Sequence, residues 1–148
     1  MSVHIESPLG FTADFPEYTQ VLEDSAAGPN TEQYGLLGDV LVTVIKDDTS
    51  VTDAPQANGW AHLMSEFYLE ERAGTLLTEG ELNLPGKDSY AVLVGYTDAS
   101  GTARVAATVG VWENSRFIGV VVIWPYVNPE AEPRVDLLKE IVSGISVA

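Results

Sequence analysis

Cysteine is absent from the 148 residues. Disulfide staples, thiolate metal ligands and cysteine nucleophiles are therefore excluded, while the compartment stays open. Basic residues are scarce: 7 Lys and Arg stand against 22 Asp and Glu, a formal net charge of −15. Such a surface repels phosphate backbones and anionic lipid, which argues against nucleic-acid or membrane-surface binding. It suits a basic partner, a cation or simple solubility. No apolar run approaches the roughly 18 residues of a membrane span. Met1–Glu6 has neither the basic start nor the apolar run of a signal peptide, so the expectation is a cytoplasmic protein, unless an export signal has been trimmed away. Internal repeats, linkers and low-complexity segments are also missing.

Catalytic signatures are absent too. There is no Gly-x-Ser-x-Gly elbow, Gly-rich phosphate loop, His-Glu-x-x-His or calcium-loop spacing. The two histidines, His4 and His62, lie far apart in sequence. His4 falls in an N-terminal stretch expected to be mobile, and His62 sits on a helix beside its apolar stripe. Both read as structural. The expectation is a protein that is not an enzyme, with no cofactor and no metal site. The richest run of hard oxygen ligands is Asp47-Asp48-Thr49-Ser50-Val51-Thr52-Asp53. Its spacing fits a strand end followed by a helix cap better than a cation loop.

What is present is strand. Ser89–Asp98, Thr102–Trp112 and Arg116–Trp124 follow one another with short turns at Ala99–Gly101 and Glu113–Ser115. Alternating side chains and β-branched or aromatic residues mark an antiparallel meander. Phe117–Trp124 is apolar on both faces and requires cover on both, or on one face plus a partner on the other. Further strands are expected at Leu9–Pro16, Thr19–Glu23, Glu32–Leu37, Val40–Ile45 and Thr75–Leu84. A helix is expected over Pro55–Ala73, capped by Asp53, burying Trp60, Leu63, Met64 and Phe67 and ending at Gly74. A second begins near Asn128–Pro133 and buries Val135, Leu138, Ile141, Val142 and Ile145, up to Gly144. With 45% apolar residues, enough for a real core, this order predicts one α+β domain over residues 1–148. Its frame is a twisted antiparallel sheet of about six or seven strands flanked by two main helices.

These residues resemble the PsbP-like superfamily, which also holds the Ran-binding import factor Mog, bacterial DcrB-type proteins, LpqN-type lipoproteins and small chaperones of secreted toxins. The resemblance rests on Gly10-Phe11-Thr12-Ala13-Asp14-Phe15-Pro16, the mid-chain helix, Ala103-Arg104-Val105 opening a strand, Ser115-Arg116-Phe117-Ile118-Gly119-Val120-Val121-Val122 after a turn, and a terminal helix running to Ile145-Ser146-Val147. In place of the Gly-Trp that often follows the first strand's Pro, this chain has Glu17-Tyr18. The resemblance implies a sandwich fold and a non-enzymatic binding role, and it carries no site residues onto this chain.

Three candidate features remain. Glu66, Glu70 and Glu71 form an acidic helix face suited to a basic protein partner. Glu79 and Glu81 share one strand face and extend it. Trp112 and Trp124 sit at strand ends and would mark a binding patch if exposed together. The expected function is a non-catalytic protein-binding module of bacterial type, an adaptor or chaperone, acting as a monomer or homodimer. The alternatives are an immunity-type inhibitor of a basic toxin, and a small-ligand carrier or enzyme with a pocket between sheet and helix.

Overall fold

A computed structural model describes residues 2–16, 20–21, 30–36, 38–46, 49–126 and 134–147. Among them, in chain order, are β1 (Ser2–Glu6), β2 (Phe11–Pro16), β3 (Gln20–Val21), β4 (Thr31–Leu36), β5 (Val40–Ile45), α1 (Ala54–Glu66) and a π-helical turn (Phe67–Glu71). These are followed by β6 (Thr75–Glu81), β7 (Asp88–Thr97), β8 (Ala103–Glu113), β9 (Arg116–Pro125), α2 (Val135–Ser143) and β10 (Ile145–Val147). The described residues form a seven-stranded antiparallel sheet, ordered β3-β4-β5-β9-β8-β7-β6, and a three-stranded sheet, ordered β1-β2-β10.

The expected meander is the middle of the large sheet. β7, β8 and β9 pair along nearly their whole lengths. The second turn is tighter than the sequence predicts. Glu113 pairs with Arg116, and Asn114 and Ser115 alone make the loop, with φ of 52° and 60°. Two central residues at positive φ match the right-handed twist of the flanking strands. The first turn is tied by the Asp98 carboxylate, which accepts from the backbone N–H of Ser100 and of Thr102.

Period-two alternation divides the meander's side chains between two layers. Val105, Ala107, Val109, Val111, Ile118, Val120, Val122 and Trp124 face the main core, with Phe11, Ala13 and Phe15 of β2 and Leu138, Ile141 and Val142 of α2. Phe117 and the alternate residues of β8 face α1. The doubly apolar β9 is thus covered on both sides.

Two expectations at the termini change. Residues 2–6, expected to be mobile, form β1, and His4 stands opposite Asp14. Residues 145–147, expected to complete the last helix, form β10 against β2. The switch occurs at Gly144, where a Cβ would lie 2.3 Å from the Asp14 carbonyl oxygen. Lys87 secures this end. Its Nζ, on a side chain only 5% exposed, lies 2.8 Å from Glu113 Oε2 and donates to the carbonyl of Ile145, while Glu113 Oε1 accepts from the N–H of Val147.

The mid-chain helix packs differently from its apolar stripe. The buried residues are Ala57, Ala61 and Ser65, spaced by four, whereas Leu63 and Phe67 are 64% and 46% exposed. The reason is close approach. A Cβ at Gly110 would come within 1.9 Å of the Ala57 carbonyl oxygen, and one at Gly119 within 2.6 Å of the Trp60 indole. Gly110 and Gly119 are register partners on β8 and β9. Only small side chains fit where the helix and the sheet come closest; Trp60 packs beside them over Gly119, and Leu63 and Phe67 turn outward. The Thr108 hydroxyl donates to the Ala61 carbonyl at 2.7 Å, tying the layers.

The helix also ends earlier than predicted. The α-helical pattern stops at Glu66, and a wider π turn follows. Ala73, not Gly74, takes the left-handed conformation, with φ 52°. Gly74 is required for space: a Cβ there would lie 2.6 Å from Val94 and 2.7 Å from the Tyr68 carbonyl oxygen. Asp53 caps the helix as predicted, its side chain accepting from the Gln56 N–H.

Gly110→Ala should therefore destabilise the protein by about 3 kcal/mol, the upper end for overpacking. Gly59, also in α1, faces open space, and Gly59→Ala should stabilise by about 1 kcal/mol. Urea unfolding midpoints at unchanged m-value check both; a neutral Gly110→Ala would refute the close-approach account.

Candidate functional site

The small-residue contact between α1 and the sheet determines what the outer side of α1 carries. Leu63 and Phe67 are exposed, one helical row apart. Glu66, at the end of α1, and Glu70 and Glu71, in the π turn, are exposed around them. The guanidinium carbon of Arg72 stands 5.3 Å from the Phe67 ring centroid. The acidic face read from the sequence thus surrounds an apolar ridge that the periodicity assigns to the core.

On the flank toward β6, His62 stacks at 5.1 Å on Tyr90, and its Nδ1 lies 3.6 Å from Glu79. Glu79 and Glu81 pair in register with Val92 and Tyr90, and so share the α1 side of the sheet. They extend the acidic surface, as their spacing predicts. Leu76 lies on the same face and is 47% exposed.

The two tryptophans do not form a patch. Trp124 is fully buried in the main core, paired with Val105. Trp112 is partly buried on the other face, against the cluster of Val51, Ala57 and Phe117. Both lie near strand ends, but strand parity sends them to opposite sides of the sheet. Trp60 packs edge-on against Phe117 at 5.3 Å.

Other titratable groups serve the fold. Tyr68 stacks on Tyr96 at 5.0 Å, and burial pushes its hydroxyl up to about 12. Hydrogen bonds from the Ser100 hydroxyl, the Thr102 N–H and Arg104 hold Asp98 far below the ordinary carboxylate range. Arg104 also pairs with Asp39 at 2.8 Å. In the run richest in hard oxygen ligands, Asp53 is occupied as a cap, as its spacing suggests, and Asp47 and Asp48 lie outside the described residues. Among the described residues no three His, Asp or Glu side chains are grouped to hold a metal. Nor is any described helix long and apolar enough to cross a membrane.

Two hollows flank β6. One, of about 100 Å³, lies between β6, β7 and Val135 of α2, and is smaller than the roughly 300 Å³ at which small-molecule sites begin. The other, of about 520 Å³ and open to solvent, is lined by Arg72, Thr75, Leu77, Tyr96, Thr97 and Tyr126, among others. Sequence periodicity misses this hollow because its lining comes from the two residues after the π turn, from β6, β7 and β8, and from the residue after β9.

No protein-family model matches the chain, and no curated protein matches it in sequence. Its fold recurs in solved structures. The Ran-binding protein Mog1p of Saccharomyces cerevisiae superposes with a TM-score of 0.65 at 13% identity, over 99% of this chain and 95% of that one. The cyanobacterial PsbP (CyanoP) of Synechocystis matches with a TM-score of 0.65 at 12% identity, over 99% and 92%. A structure from Bacteroides thetaiotaomicron matches with a TM-score of 0.54 at 12% identity, over 98% of this chain and 48% of that one. The architecture is therefore the PsbP-like sandwich that the residues resemble. At these identities the likeness is one of fold.

One titration follows from the terminal sheet. His4 Nδ1 lies 2.7 Å from Asp14 Oδ1, and this hydrogen bond raises the His4 pKa above 6.5. A raised folded-state pKa stabilises fully below the unfolded value and loses its effect as pH rises through the folded value. Asp14→Asn should lower the unfolding midpoint more at about pH 5.5 than at about pH 9. Equal losses at both would show that the charge on His4 is not involved.

Proposed function

We propose that this protein is a non-catalytic protein-binding module, an adaptor or chaperone-like domain that docks a basic partner on the outer side of α1. The observation that carries this reading is the exposed pair Leu63 and Phe67 within the carboxylates Glu66, Glu70 and Glu71. An apolar centre inside a charged rim is the composition of a docking surface, in which burial supplies affinity and charge supplies selection and encounter rate. The net charge of −15 steers a basic protein toward the whole molecule, and the ridge provides a place to stop. Mog1p, which shares the fold, is a Ran-binding protein, so the sandwich is compatible with binding a protein.

The test is capture from native lysate at low and high salt, with bound proteins identified by mass spectrometry. Wild type should retain a basic protein at low salt and release it at high salt. Glu66→Lys/Glu70→Lys/Glu71→Lys should lose that protein while its unfolding midpoint stays within about 0.5 kcal/mol of wild type, as expected for exposed positions. Undiminished capture by the triple variant would remove the acidic face from the mechanism.

A further inference from the structure

β6 is the terminal strand of the large sheet, opposite the edge formed by β3. Its inner side pairs with β7. Among the described residues no strand pairs with its outer row of backbone N–H and C=O groups, which can template another strand. The charges along this edge are ordered. Arg72 stands just before β6, in the open hollow with the hydroxyl-bearing Thr75, Tyr96, Thr97 and Tyr126. Glu79 and Glu81 stand at its far end. Among the described residues Arg72 has no carboxylate partner; its guanidinium stands over the Phe67 ring, near Tyr68 and Tyr96. An unneutralised guanidinium is uncommon currency in a chain with 22 acidic side chains and 7 basic ones.

This polarity selects the orientation of an added strand and the order of charges it must carry. A strand running parallel to β6 would bring its carboxyl end to Glu81. An antiparallel strand brings that end to Arg72 and sets earlier residues beside Glu79 and Glu81. A second copy of this chain, its β6 antiparallel, would also set acidic side chains toward Arg72. Leu76, exposed at the start of β6, offers an apolar contact near the terminus.

We propose that the β6 edge binds the C-terminal tail of a partner protein as an added antiparallel strand. The tail's terminal carboxylate is held by Arg72 in the open hollow. Lys or Arg side chains about four to six residues before the terminus meet Glu79 and Glu81. This inference rests on the protein-binding reading and adds to it a second contact and the chemistry of its ligand.

The probe is a library of ten-residue peptides displayed with free C-termini. The best binders are resynthesised as free acids and as C-terminal amides, and their affinities measured by fluorescence anisotropy. Enriched peptides should carry Lys or Arg in the stated window. Amidation should weaken binding at least about tenfold, the scale of one charge-assisted hydrogen bond. Arg72→Gln should cause a similar loss and abolish the difference between acid and amide. Glu79→Lys/Glu81→Lys should reverse the preference for basic peptides, and amide shifts in NMR spectra of wild type should concentrate on Thr75–Glu81. No enrichment, amides that bind as well as acids, an Arg72→Gln variant that still tells acid from amide, or a dimer of this chain in solution that binds no peptide would each overturn the proposal. Tail binding should survive Glu66→Lys/Glu70→Lys/Glu71→Lys. Loss of lysate capture with tail peptides still bound would therefore remove the helix face alone. Capture without tail binding would remove the strand-addition site alone.

Discussion

The contact between Ala57 and Gly110 is the constraint on which the exposed half of the molecule depends. The Ala57 carbonyl oxygen occupies the space where a Cβ of Gly110 would stand. With backbone this close to backbone, the interface takes only Ala57, Ala61 and Ser65 from the helix. It is closed at one side by the Trp60 indole over Gly119 and tied at its middle by the Thr108 hydroxyl. Burial of large side chains, the usual source of helix docking energy, is supplied here mainly by the opposite face of the sheet. There Trp124, Phe11, Phe15 and the residues of α2 build the main core.

An asymmetric sandwich follows. One face of the sheet is covered by α2 and the three-stranded sheet, tied to it by the buried Lys87 and Glu113. The other is covered by a helix that spends its small residues inward and so presents Leu63, Phe67 and its carboxylates outward. The same displacement leads into the π turn, which stacks Tyr68 on Tyr96 and carries Arg72 to the start of the β6 edge. The proposed helix face and the proposed strand-addition site both arise from how α1 sits on the sheet.

The strands were the legible part of the chain. Their alternation is local, and each of β2, β4, β5, β6, β7, β8 and β9 lies within a few residues of its expected place. The Asp53 cap and the acidic positions on the helix were legible for the same reason: they depend on neighbours three or four residues away. The terminal strands were not. β1 and β10 are short, and each becomes a strand only because β2 offers it an edge. The tryptophans were misread because proximity to a strand end does not reveal which side of the sheet is covered.

The sequence by itself determined the meander, the order of strands and helices, the strongly negative surface and the lack of any familiar catalytic motif. These follow from periodicity, composition and side-chain chemistry, all of which are local. Only the tertiary structure decided which helix residues are buried, because that depends on the distance between α1 and two glycines more than 40 residues further along the chain. Hydrophobicity predicts burial only where there is room to bury. Here the backbones meet first, so the small side chains are enclosed, while Leu63 and Phe67 are exposed.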